Sequence, residues 1–129
     1  MADILVIDDE PHYRSALKRA LELEGHEVRT AADGEEGVVE YRRAPADLVI
    51  VDLYMPRKSG LQAILDLRTE FAGARIIAIT GSVSGLSGYK LQAAAAVGAQ
   101  RTLRKPFDDV QLLEAVRAVL GEEGKAQPG

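Results

Sequence analysis

The sequence predicts an α/β domain: a doubly wound five-stranded parallel sheet in the order 2-1-3-4-5, with helices on both faces. Three observations carry that expectation. Short apolar runs alternate with stretches of helical periodicity, the mark of strand–helix–strand units and a parallel sheet. Three runs, Ile4–Asp8, Leu48–Asp52 and Ile76–Thr80, are nearly continuous, as suits strands covered on both faces. Two others, His26–Ala31 and Arg101–Arg104, are more polar and belong at the edges. The flavodoxin-like order 2-1-3-4-5 satisfies this, because it leaves the second and fifth strands outermost.

The helices have readable boundaries. The first runs from Pro11 to Glu24, with Tyr13, Ala16, Leu17, Ala20 and Leu21 on one face and Gly25 as its stop. The second opens at Asp33, with Glu36 three residues on in a capping-box pattern. The third carries Leu61, Ile64 and Leu65, and the fourth is placed near Tyr89–Val97. The fifth follows Pro106, turns Leu112, Leu113, Val116 and Leu120 to the core, and ends at Gly121. Gly81–Gly88, rich in Gly and Ser, is expected to be a mobile loop. Residues 1–121 then form one domain. The polar segment 122–129, with its Gly and Pro, reads as a frayed tail or linker.

Composition narrows the function. The 129 residues suit one domain, and 47% of them are apolar, enough for a packed core. The absence of cysteine excludes disulfides, thiolate metal sites and a Cys nucleophile. The opening Met1-Ala2-Asp3 has no basic region ahead of an apolar stretch, which argues against a signal peptide. No apolar run approaches a membrane span, so a soluble cytoplasmic protein is the default. A net charge of −4 disfavours an extended nucleic-acid surface.

In open α/β sheets, sites lie outside the carboxyl ends of the strands, where the strand order switches. Here the first strand ends in Asp8, Asp9 and Glu10, the third in Asp52 and the fourth in Thr80, while the fifth leads into Lys105-Pro106. Four segments thus deliver carboxylates, a hydroxyl and an ammonium to one rim. Adjacent carboxylates repel unless a cation joins them. Mg²⁺ fits, because it takes oxygen ligands and uses one or two carboxylates plus phosphate. Asp52 could attack a phosphoryl group to form an aspartyl phosphate. Mg²⁺ and Lys105 would neutralise charge on the transferring oxygens, and Thr80 could donate to one of them. Each residue also has a plainer role. Asp8 and Asp9 could cap the first helix, Asp52 could open a turn before Met55-Pro56, and Thr80 could be an ordinary strand residue. Lys105 could be a solvated lysine, with Pro106 as the first residue of the fifth helix. Their joint arrival on one rim is what favours chemistry.

These residues resemble a family, the bacterial receiver domain of two-component response regulators. The likeness covers residues 3 to 120. It rests on Ile4 to Glu10, on Asp47 to Pro56 with Gly60 following, on Ile76 to Thr80, and on Lys105-Pro106-Phe107. The spacings also look like the family's, with 43 residues from Asp9 to Asp52, 28 more to Thr80 and 25 more to Lys105. The resemblance implies that Asp52 is the phosphoacceptor. Asp9, Asp52 and the backbone carbonyl of Tyr54 would then ligate Mg²⁺ (or Mn²⁺), with Asp8 acting through bound water. It further implies that Lys105 pairs with Asp52 and then with the phosphoryl group, that Thr80 is the switch hydroxyl, and that the Lys105-Pro106 bond is cis. The phosphodonor would be a sensor histidine kinase or a His-containing phosphotransfer protein. The family often carries an aromatic switch residue three positions before the lysine, and here that candidate switch position is Thr102. Gln100 and Arg101 stand where an acidic pair is common in one dimerising DNA-binding subfamily.

Three competing functions are weighed against this one. An Mg²⁺-dependent phosphohydrolase needs a second acid, often two residues after the nucleophile, where Tyr54 stands. A nucleotide-binding module needs glycines in the first strand-to-helix turn, which reads Asp8-Asp9-Glu10-Pro11. A docking module that is never phosphorylated does not need the full acidic set. The output is expected to be a downstream effector protein, met by the fourth helix, fifth strand and fifth helix, with no direct contact to nucleic acid or membrane. The Met1 start favours a stand-alone protein. The linker-like tail keeps open a receiver piece of a larger DNA-binding regulator or hybrid kinase.

Overall fold

A computed structural model describes residues 2–53, 55, 58–81 and 87–126, with backbone alone at 87–91 and 122–126. Its elements are β1 (Asp3–Ile7), α1 (Pro11–Leu23), β2 (Glu27–Ala31), α2 (Gly34–Arg43), β3 (Leu48–Asp52), α3 (Gly60–Glu70), β4 (Ile76–Thr80), α4 (Ser87–Val97), β5 (Arg101–Arg104) and α5 (Asp109–Ala126). The five strands form one parallel sheet in the order β2-β1-β3-β4-β5. β3 and β4 are buried along their whole length, whereas β2 and β5 are only partly covered. The two polar runs are therefore the edges, as their composition predicts.

Alternation along the central strands divides the core in two. Leu5, Ile7, Val49, Val51, Ile76 and Ala78 pack with Val38, Tyr41, Ile64, Leu67 and Ala94 beneath α2, α3 and α4. Ile4, Val6, Leu48, Ile50, Ile77 and Ile79 pack with Leu17, Leu21, Leu112, Val116 and Val119 beneath α1 and α5. Each fully buried Ile or Leu contributes about 1.5–3 kcal/mol relative to exposure.

Several boundaries and faces differ from the expectation. β1 stops at Ile7, so Asp8 lies just beyond the strand, and β2 starts at Glu27. α1 closes at Leu23 with Glu24 as its cap, and Gly25 then takes a positive φ of 94°. Ala16 on that helix is exposed. In α3 the buried stripe is Gly60, Ala63, Ile64 and Leu67, and Leu65 is exposed. α4 begins two residues earlier than expected. α5 starts at Asp109 rather than directly after Pro106, and it runs through Gly121 to Ala126. The Asp108 carboxylate accepts the Gln111 N–H at 2.8 Å and the Gln111 side chain accepts the Asp108 N–H at 3.0 Å, which fixes that later start. Residues 82–86 of the expected loop and 127–129 of the expected tail lie outside the described residues. Among the described residues, no helix is long and apolar enough to cross a membrane.

Candidate functional site

Strand register builds the site. Ile7 pairs with Val51, so the next residues, Asp8 and Asp52, leave the sheet side by side. Asp52 pairs with Ile79, one residue before Thr80, and Thr80 pairs with Arg104, one residue before Lys105. Parity sets the side chains. Asp8 follows Ile4 and Val6, and Asp52 follows Leu48 and Ile50, so both turn to the face covered by α1 and α5.

The expected pair of carboxylates and the ammonium do meet. Lys105 Nζ lies 3.2 Å from Asp52 Oδ2 and 3.4 Å from Asp8 Oδ2. Both carboxylates are buried, and the lysine side chain is only 17% exposed. Asp9 is exposed, yet single carboxylate oxygens of Asp8, Asp9 and Asp52 all lie within 4.8 Å of one another. Thr80 is fully buried at the end of β4, its hydroxyl turned to the Gly81 carbonyl at 3.4 Å. Its own carbonyl accepts the Lys105 N–H at 2.8 Å, which ties the start of the last loop to β4. The Lys105-Pro106 peptide is cis. Thr102 is half-buried on β5. Tyr54, expected to offer its carbonyl, lies outside the described residues.

Capping of α1 falls to neither Asp8 nor Asp9. Glu10 does it, accepting the N–H groups of His12 and Tyr13 at 3.1 and 2.8 Å, which hold its carboxyl below the usual range. Asp8 is left to the site. Its Oδ1 accepts the Glu10 N–H at 2.9 Å, and Arg14 donates to its carbonyl at 2.8 Å. Gly60 at the start of α3 presses on the other carboxylate's backbone. A Cβ there would come within 2.4 Å of the Asp52 carbonyl oxygen and 2.5 Å of Leu53 Cα.

Burial strips water from Asp8 and pushes its carboxyl up to about 6. The Glu10 N–H opposes that shift, the Asp52 charge adds to it, and Lys105 opposes it. Burial works against the Lys105 ammonium, but Asp52 and Asp8 outweigh it and hold its pKa above the ordinary lysine value. Among the described residues, the carboxylates of Asp8, Asp9 and Asp52 gather hard oxygen donors beside the Lys105 ammonium. That donor set suits a divalent cation of the Mg²⁺ kind. Two contacts were not foreseen. The Lys105 ammonium sits over the Tyr13 ring, 3.9 Å from its centroid, and Tyr13 meets Phe107 edge to face at 5.8 Å. Tyr13 reads in the sequence as one more residue of the apolar face of α1, and nothing in its spacing marks a partner on another element.

A family model described as the response regulator receiver domain matches residues 4–117. A probable transcriptional regulator of Porphyridium aerugineum is 37% identical over 126 residues, covering 95% of this chain and 50% of its own length. The chain thus spans about half of that relative. PilH of Pseudomonas aeruginosa is 34% identical over 120 residues, covering 93% of this chain and 98% of its own. Among solved structures, the response regulator TrrA of Thermotoga maritima, in complex with Mg²⁺ and BeF, superposes with a TM-score of 0.82. It shares 36% identity, with 92% of this chain and 99% of that one covered.

Proposed function

The chain belongs to the response regulator receiver domain family of two-component signalling, and on that premise we propose that Asp52 accepts a phosphoryl group from a sensor histidine kinase or a His-containing phosphotransfer protein. One observation carries the reading: Lys105 bridges Asp8 and Asp52, with Asp9 in ligand range of both. A carboxylate oxygen of Asp52 attacks phosphorus. The P–O bond forms as the P–N bond of the donor phosphoimidazole breaks, and the imidazole leaves with the bonding pair. Lys105 turns from Asp52 to the phosphoryl oxygens and neutralises their charge. Asp9 and Asp52 would hold the cation together with the backbone carbonyl of Tyr54, and Asp8 would act through a bound water. The chemistry that Mg²⁺ (or Mn²⁺) would supply there is neutralisation of charge on the transferring oxygens.

Thr80 then donates its hydroxyl to the new phosphate. With Thr102 in place of a ring on β5, the switch runs through Thr80 and the approach to α4. The α4–β5–α5 face meets a downstream effector protein in the cytoplasm, with no contact to nucleic acid or membrane. The phosphate leaves by self-hydrolysis or through a phosphatase, so the domain is a switch and not an enzyme with a separate substrate. A second reading keeps this chemistry but sets the chain within a longer DNA-binding regulator. It is favoured by the half-length match to a transcriptional regulator.

Beryllofluoride with Mg²⁺ tests the acceptor. Added to the wild type, it should shift the amide resonances of Asp52, Thr80 and Lys105, and in Asp52→Asn it should not. An unshifted wild-type spectrum contradicts the proposal.

A further inference from the structure

Lys105 has a third neighbour besides its two carboxylates. The Tyr13 ring lies against its ammonium, 3.9 Å from nitrogen to centroid, on a side chain that is itself mostly covered. The ring is steadied in turn by the edge-to-face contact with Phe107, whose planes meet at 75°. α1 thus brings a ring to the cation, and the loop ahead of α5 backs that ring. A ring face attracts an ammonium through its quadrupole, and the attraction grows where water is excluded.

We propose that Tyr13 is a positioning residue for Lys105: its ring keeps the ammonium at the rim of the carboxylate site while a divalent cation occupies the carboxylates. This rests on the phosphoreceiver reading above. Lys105 is shared between Asp8 and Asp52, the same groups that would serve the metal. A dication among them competes for both carboxylates and repels the ammonium. A lysine then has a flexible four-carbon stem and strong hydration to draw it into water. The Tyr13 face is uncharged and is not a metal ligand, so its hold on the ammonium survives metal binding. Lys105 is thereby kept within reach of an incoming phosphoryl group. Thr102 provides no ring from β5, and the aromatic face at this site comes from α1 instead. The hydroxyl of Tyr13 has no part in this, so phenylalanine should serve.

The test combines transfer rates with a direct view of the lysine. Ala16, Leu17 and Leu112 line a cavity beside the ring, which gives a smaller apolar side chain room to settle. Phosphoramidate with Mg²⁺ supplies the phosphoryl group, followed by intact mass, in wild type, Tyr13→Leu and Tyr13→Phe. Leucine should slow the reaction by about three- to tenfold, and phenylalanine should rescue it. In wild-type NMR spectra the ring current should move the Lys105 ε-methylene protons upfield of those of the other lysines. That shift should persist when Mg²⁺ is added and collapse in Tyr13→Leu. Lys105→Arg assigns the signal. Lysine protons at the ordinary position in the wild type, or a shift lost on adding Mg²⁺, overturn the role of Tyr13, as do equal rates for Leu and Phe. If the wild type takes no phosphoryl group, the receiver reading fails instead, and the lysine signal still decides the contact.

Discussion

Asp8 carries a burial cost that the Glu10 N–H and Lys105 offset only in part. Its carboxyl is fully buried and held up near 6, chiefly by desolvation. An acid whose pKa is higher in the folded state than in the unfolded chain destabilises the fold when ionised. That penalty is fully present above pH 6 and fades as the pH falls toward the ordinary aspartate value. In metal-free protein, Asp8→Asn should therefore raise stability at pH 7.5, by roughly 2 kcal/mol. The gain should vanish by about pH 4, as denaturant unfolding at the two pH values would show. An equal gain at both would mean that packing, not charge, sets the cost. Gly60 makes the opposite case, where the smallest side chain is required. Gly60→Ala puts a Cβ against the backbone of Asp52 and Leu53 and should cost about 1–3 kcal/mol in the same assay. The clustering of Asp8, Asp9, Asp52 and Lys105 is legible in the sequence because strand ends gather at one rim. Tyr13 is not, because its role depends on a contact 92 residues away in the chain.

The helices show where periodicity misleads. Leu61, Ile64 and Leu65 look like the core face of α3, yet Leu65 is 46% exposed and the helix seats itself through Gly60 and Ala63. Small residues allow close approach but give a weak apolar signal, so the larger leucines dominate the sequence pattern. Ile64→Ala should cost about 2–5 kcal/mol, whereas Leu65→Ala should change the melting point little. Gly121 misleads in another way. It resembles a helix stop, but α5 continues through it, tolerating a penalty of about 1 kcal/mol. Asp33 is the readable case: its side chain accepts the Glu36 N–H at 2.8 Å, as the capping pattern predicts. The return half of that box differs, since Glu36 accepts from Ala32 at 3.3 Å rather than from Asp33.

For the molecule as a whole, strand order was legible because burial and composition agree. Strands buried on both faces have to be apolar throughout, and the polar β2 and β5 have only the edges left. On the proposed reading, the strand-end carboxylates would join this scaffold to a divalent cation. A cation that binds only the folded state stabilises it by mass action. Millimolar Mg²⁺ should thus raise the melting temperature of the wild type and leave Asp9→Asn nearly unmoved. An equal rise in both would place the ion elsewhere.

The central claim is that Asp52 takes the phosphoryl group with a metal beside it. Intact mass after incubation with a small phosphodonor tests it most directly, with and without Mg²⁺, in wild type and Asp52→Asn. The expected result is one added phosphoryl group in the wild type, dependent on Mg²⁺ and absent from the variant. An adduct that forms equally in Asp52→Asn, or without Mg²⁺, would contradict it.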